Sequence, residues 1–394
     1  MPRVPHKSYP LDFPVYSLTF ISPHLLILGG GGGSSSNSGV KNKLGIYSIT
    51  QNELNLKLAY ELDNTDDCPM SLNVPLTNKH YLLAGINSNS EVNENCRLFS
   101  IDQQSDQINQ IHAKQTIFTN DVTCYQRVAH FSNASIPVLI VDGKSTEKSG
   151  SQLHAFSYPD MNPVLRDPLQ INGDILNVTF NSDSSLLAVA TPTNVLIFTF
   201  SVDNKEGKIH CNLNLSHTIN HPALPKPSSP SPSFRHANFG RGAHTNRLYT
   251  ITNSPPPHKK KAARPSFLTA WDVSTWSVVR SVTLADKPIT ACDLSEDGQL
   301  IAFASADLSL GIVSAKTLAP LVRILSAHSF PVTCLSFDPT ATVLASGSPD
   351  NSVRLIQVPQ DLAAGDSARA FVHALVIAIL IALLAVLLQL YQTK

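Results

Sequence analysis

Short apolar runs broken by polar turns recur along the chain, and the clearest pair stands near the end. Pro288-Ile289-Thr290-Ala291-Cys292-Asp293-Leu294 aligns with Pro331-Val332-Thr333-Cys334-Leu335-Ser336-Phe337 at an offset of 43 residues. Without a gap, Leu300-Ile301-Ala302 falls on Val343-Leu344-Ala345, Asp307 on Asp350, and Ile312-Val313 on Leu355-Ile356. Alternation within such runs predicts half-buried strands. A period of about 40–45 residues carrying several short strands is that of a WD-repeat propeller blade. Ala327-His328 stands where such repeats open with Gly-His, and the closing Trp-Asp survives as Trp271-Asp272.

The same template slides back along the chain. Residues 175–180 followed by Leu186-Leu187-Ala188 match it, as do residues 14–20 followed by Leu26-Ile27-Leu28, and weaker copies start near Pro69, Asp121 and Phe234. Seven blades are predicted, over 14–50, 69–102, 121–158, 174–202, 234–273, 288–314 and 331–358. A blade cannot bury its apolar faces alone, so the seven should close a ring. A strand from residues 4–9 is expected to complete the last blade. The fold class is therefore all-β, a seven-bladed WD-repeat-like propeller over 1–360. Residues 222–233 (PALPKPSSPSPS) read as a linker between blades four and five, and 255–265 (PPPHKKKAARP) as a basic insert within blade five. Lys259, Lys260, Lys261 and Arg264 offer a contact for anionic lipid or an acidic partner, but such a run is first a solvated loop.

Past residue 360 the character changes. A linker over 361–369 leads to 370–390 (AFVHALVIAILIALLAVLLQL), where His373 and Gln389 are the strongly polar members. As a helix this run is roughly 31 Å long, enough to cross the bilayer hydrocarbon. One C-terminal transmembrane helix is expected, with 391–394 as a short lumenal tail. The N-terminal apolar run is broken by Ser17, Ser22, Pro23 and His24, so no leader peptide is read there. Cys68, Cys96, Cys124, Cys211, Cys292 and Cys334 form no CxxC pair, which argues against zinc and for a reducing compartment. The N-x-S/T triplets at Asn133, Asn177 and Asn214 would then stay unglycosylated. The 29 basic and 29 acidic side chains balance, which excludes broad attraction to nucleic acid.

One stretch departs from the blade pattern in an informative way. Residues 29–44 read GGGGGSSSNSGVKNKL. In the alignment, Ile27-Leu28-Gly29-Gly30 matches Leu344-Ala345-Ser346-Gly347, and the connection that follows is 31–43 where blade seven uses 348–352, an eight-residue insertion. Loops on rigid scaffolds concentrate function. A phosphate-cradling loop needs Gly-Lys-Ser/Thr opening a helix, whereas Gly39 precedes Val40 and a strand, so that reading fails. No Asp or Glu lies between Asp12 and Glu53, which argues against a divalent cation. Glycine and serine carbonyls remain, suited to a weakly bound monovalent cation that would stiffen the loop. On its own, Asn42 reads as a turn asparagine.

A degenerate seven-bladed propeller, Gly29 to Gly33 followed by Gly39-Val40-Lys41-Asn42-Lys43-Leu44 in its first blade, Ala327-His328-Ser329-Phe330 opening its last, and a terminal apolar helix together resemble the Sec-twelve (prolactin regulatory element-binding protein) family. These are endoplasmic-reticulum exchange factors for the small GTPase Sar. The resemblance implies a cytosolic propeller on the endoplasmic reticulum membrane, with cycling to the Golgi allowed, and Sar-GTP production that starts COPII coat assembly. It implies that the loop binds potassium, here assigned to the carbonyls of Gly29, Gly30, Gly31, Gly32 and Gly33. It makes Asn42 the residue most directly tied to exchange, with Gly39, Val40, Lys41, Lys43 and Leu44 as the partner-binding loop. Exchange involves no covalent chemistry: the factor binds the nucleotide-free GTPase best and by linkage lowers nucleotide affinity. An asparagine amide supplies both a donor and an acceptor, and Lys41 and Lys43 would steer an acidic surface or keep the loop soluble. His328 is expected to be structural, and no nucleic-acid partner is implied. The competing reading is a tail-anchored propeller scaffold without exchange activity.

Overall fold

The computed structural model describes residues 4–34, 38–51, 53–76, 78–102, 107–119, 121, 123–133, 138–145, 150–205, 207–221, 231–256 and 263–363. Each sequence repeat is an antiparallel sheet of four strands, and the described residues form seven such sheets. Blade one consists of Val15–Ser22, Leu25–Gly30, Lys43–Thr50 and Glu53–Glu61; blade two of Ser71–Asn73, Tyr81–Gly85, Cys96–Asp102 and Gln107–Lys114. The first strands of blades three to seven are Ala129–Phe131, Asn177–Phe180, Ser233–Phe239, Ile289–Leu294 and Cys334–Phe337.

The second strands are almost wholly buried because blades cover both of their faces. Leu26, Ile27 and Leu28 are fully buried. Leu26 and Leu28 pack with Ala345 and Val353 of blade seven, while Ile27 packs with Leu82 and Phe99 of blade two. Burial of this kind, worth roughly 25 cal/mol per Å² of apolar surface, holds one blade on the next.

The ring closes as the sequence suggests. His6–Pro10 forms the fourth strand of blade seven, antiparallel to Ser352–Gln357, with His6 opposite Ile356 and Pro10 opposite Ser352. The predicted blades stop one strand short elsewhere. Outer strands such as Glu53–Glu61, Lys208–Asn220 and Val278–Ala285 lie beyond the repeat limits read from the sequence. Their side chains are mostly solvated, as in the exposed and half-buried alternation of Glu53–Glu61, so they carry little apolar signal.

Two details of the sequence reading find their physical reason here. His328 is 5% exposed; its Nδ1 lies 3.1 Å from Asp350 Oδ2 and 3.0 Å from Ser352 Oγ, and its Nε2 lies 2.8 Å from Ser346 Oγ. It ties the entry of blade seven to that blade's turn, a structural role. The six cysteines are free thiols, and burial pushes those of Cys211 and Cys334 up to about 12.

Strand alternation assigns every connection to one end of the ring. Connections between second and third strands share an end with those that lead from one blade into the next. The strand Ser352–Gln357 runs away from that end, so residues 358–363 lie at the opposite one. Among the described residues no helix is long and apolar enough to cross a membrane. The expected helix over 370–390, the 391–394 tail, and most of the 222–233 and 255–265 segments lie outside the described residues.

Candidate functional site

Three connections meet at the same end of blades one and two. Residues 31–42 join the second and third strands of blade one, 62–70 lead into blade two, and 86–95 are blade two's counterpart of the first. The insertion in blade one is therefore not peculiar to it. Blade seven needs only 349–351 at this position, but blade two spends 86–95 and blade five 254–265.

Glycine is required where the loop leaves the sheet. Gly29 and Gly30, two of the five glycines expected to offer carbonyls, are buried in the second strand; they pair with Leu44 and Lys43 on one side and with Ser17 and Val15 on the other. A Cβ on Gly30 would overlap the Pro14 carbonyl oxygen. Gly31 and Gly33, at φ of 148° and 82°, then turn the chain out of the sheet. The Gly31 N–H donates to the Pro14 carbonyl at 3.1 Å and the Gly32 N–H to the Val40 carbonyl at 3.3 Å.

Asn42 closes the loop from its other end, and it points inward. Only 8% of it is exposed. Its Oδ1 accepts from the Gly33 N–H at 3.0 Å and from the Cys68 thiol at 3.2 Å, while its Nδ2 donates to the Asp66 carbonyl at 2.8 Å. Its own carbonyl accepts from the Leu62 N–H at 2.9 Å. The side chain has room because Gly31 has none: a Cβ there would strike Asn42 Oδ1 and Cα. Asn42 thus shapes the loop and presents no outward amide. Burial, aided by the Asp67 charge, pushes the Cys68 thiol up to about 12, which keeps it an S–H donor.

The remaining loop residues divide by exposure. Gly39 and Lys41 face solvent, and Lys41 Nζ donates to Asn64 Oδ1 at 3.0 Å. Lys43 is half-buried; its Nζ sits 2.8 Å from Asp12 Oδ2 and 4.7 Å from the centre of the Phe13 ring. That ammonium holds the Asp12 carboxyl below its usual range. Val40 packs against the cluster between blades seven and one. Leu44, expected in the partner-binding loop, is fully buried between blades one and two, because it is already a residue of the third strand. It belongs to the core, and only Ser38, Gly39 and Lys41 among the described loop residues are fully outward.

Several residues at this site had no voice in the sequence reading. Asp67 Oδ1 accepts from the Ser34 N–H at 3.2 Å and from the Cys68 N–H at 2.8 Å, and Asn89 Nδ2 donates to Ser34 Oγ at 3.0 Å. The run Asn64-Thr65-Asp66-Asp67-Cys68 lies beyond the next two strands in sequence, and only the ring topology returns it to the glycine loop. Beside Ser34 opens a polar cleft of about 360 Å³, lined among others by Asp67, Asn89, Glu91, Gln115 and Phe118. Phe118 is 49% exposed there. Among the described residues no group of three His, Cys, Asp or Glu side chains is placed to hold a metal ion.

A loop pinned at both ends on the first blade of a seven-bladed ring is the arrangement to set against known proteins. The family described as "WD domain, G-beta repeat" matches residues 319–357. The "Putative guanine nucleotide-exchange factor SED4" of Candida glabrata is 23% identical over 380 residues, covering 92% of this chain and 33% of that protein. The "Guanine nucleotide-exchange factor SEC12" of Mus musculus is 31% identical over 94 residues, 24% of this chain and 22% of that protein. The chain resembles the Sec-twelve family. It spans a third or less of the length of these two Sec-twelve-type relatives. A chain of the "Crystal Structure of Mitotic Checkpoint Complex" superposes with a TM-score of 0.60 at 14% identity, over 89% of this chain and 93% of that one, a likeness of fold alone.

Proposed function

We propose that this chain is a guanine nucleotide exchange factor for a small GTPase of the Sar type. It acts on the cytosolic side of the endoplasmic reticulum membrane, held there by a helix over 370–390, and so starts COPII assembly. The observation that carries the reading is the blade-one loop, turned out by Gly31 and Gly33 and pinned by Asn42. The names of the SED4 and SEC12 relatives support it.

An exchange factor must offer a surface that fits the GTPase only when the nucleotide has gone. A loop that wandered would lose that selectivity to ordering entropy. Asn42 supplies the order from beneath, and Ser38, Gly39 and Lys41 supply the outward surface. Lys41 favours an acidic partner face. A potassium ion would add to the same stiffness. The donors that the loop itself offers are neutral carbonyls, which suits a monovalent ion, and the Asp67 carboxylate beside Gly33 and Ser34 adds one negative charge nearby. Gly31, Gly32 and Gly33 would hold it, since Gly29 and Gly30 are committed to the sheet.

The test is release of labelled GDP from a purified Sar GTPase by the full chain in detergent micelles, in potassium and in sodium buffer. Acceleration that is stronger in potassium is the expected result. Equal acceleration in both salts removes the ion and keeps the exchange factor. No acceleration by a folded chain leaves the scaffold reading.

A further inference from the structure

Asn42 is held by a group that is itself held from the far side. The Asp66 carbonyl accepts the Asn42 amide, and the Asp66 carboxylate is gripped by Arg97 from the third strand of blade two. Arg97 Nη1 donates to Asp66 Oδ2 at 2.7 Å and Nη2 to Oδ1 at 2.5 Å, while Nε donates to the Glu94 carbonyl at 3.1 Å. Arg97 is 8% exposed and Asp66 3%. A guanidinium fork on a carboxylate fixes orientation as well as distance. A buried ion pair is poor evidence of net stabilisation, because desolvation offsets the attraction. What this pair supplies is position: blade two dictates where the Asp66 main chain lies.

We infer that Arg97 is a positioning residue for the glycine loop, fixing Asn42 through Asp66 and the Gly33 end of the loop through Asn42. The contacts form one line from the third strand of blade two to the loop: Arg97 to Asp66, Asp66 to Asn42, Asn42 to Gly33. Asp67 and Cys68 continue it, because a shift of Asp66 carries with it the acceptor of the Ser34 N–H and the thiol on Asn42 Oδ1. Arg97 is too deeply buried to act as a contact for a partner, so its effect on a partner must pass through the loop.

The kinetic arm of the test rests on the exchange reading; the structural arm does not. Arg97→Lys keeps the charge and loses the fork. In the full chain it should slow GDP release about tenfold, the scale of one lost charge-assisted contact. In an Asn42→Ala background it should add almost nothing, because both changes act on one line. Hydrogen exchange at the Gly33 and Ser34 amides should quicken in Arg97→Lys while the strand Ser352–Gln357 stays protected. Full additivity with Asn42→Ala, or unchanged loop protection in the folded variant, overturns the inference. Should Arg97→Lys not fold, Asp66→Asn serves the same comparison, since it keeps the backbone carbonyl and loses the charge that the fork grips. If the wild-type chain releases nucleotide from no GTPase, the exchange reading fails by itself and the hydrogen-exchange arm still decides the role of Arg97.

Discussion

Truncation of Asn42 to alanine should disorder the loop without unfolding the propeller. The variant loses the acceptor for the Gly33 N–H and the Cys68 thiol and the donor to the Asp66 carbonyl. A typical intramolecular hydrogen bond is worth about 0.5–1.5 kcal/mol net, and an unsatisfied buried partner costs about 1–3 kcal/mol. Water reaches part of this site once the loop opens, so the lower figures apply, and the pinned pose should weaken by about 2–3 kcal/mol. That is a factor of roughly 30–150 in loop population. The blade interfaces are untouched, so the thermal transition should move little. The assay is labelled-GDP release from the GTPase at rising concentrations of the chain, beside hydrogen exchange at Gly33 and Ser34. Asn42→Asp sharpens the comparison, since it keeps the Oδ1 acceptor and sets a carboxylate oxygen against the Asp66 carbonyl. A folded Asn42→Ala chain with wild-type loop protection would refute the pinning argument. One with lost protection and unchanged release would separate loop order from exchange.

Gly31→Ala should act at the same place by another route: its φ of 148° and the collision with Asn42 Oδ1 should push the amide out, and exchange should fall at least as far as in Asn42→Ala. Deleting residues 1–10 strips the closing strand from Ser352–Gln357, and light scattering should report association through the freed edge. Acid should destabilise the propeller. Burial lowers the ring pKa of His130 to about 4, of His154 to about 4 and of His236 to about 3, against 6.5 unfolded. Their contribution is complete above pH 6.5 and is lost as pH falls toward the folded values, each ring giving up about 1.4 kcal/mol for every pH step of one in that window. Denaturant midpoints that hold level from pH 7 to 5 would contradict this.

The fold was legible because blades bury their second and third strands on both faces, leaving apolar runs at matching positions in successive repeats, as in Leu300–Ser305 and its counterpart Val343–Ser348. Closure was legible because seven blades must close a ring and the residues before Pro14 read as a strand to spare. The outer strands were not, since solvent on their flanks relaxes the pattern. At the site, the glycines and the length of the connection marked the loop, and Asn42 was singled out only through the family resemblance. The direction in which Asn42 points was hidden, because its partners Asp66 and Cys68 are brought to it by the connection into the next blade. Leu44 was placed in the partner-binding loop through the family resemblance, although the repeat alignment already ended the connection at residue 43. Arg97 gave no signal: an arginine within a strand looks solvated until the carboxylate opposite it is known.

The pairing of the first strand with the last sets a clock on folding. His6–Pro10 is synthesised before any blade, yet its partner Ser352–Gln357 is the final strand of the ring. At about 5–20 residues per second, the first strand waits roughly 20–70 s for it. A waiting edge invites mispairing, and the segment His-Lys-Ser-Tyr-Pro is suited to the wait, with a charged lysine at its second position and a proline that withholds a backbone donor at its end. The ring is thus sewn shut only once blade seven has been made, by a strand that precedes all the blades.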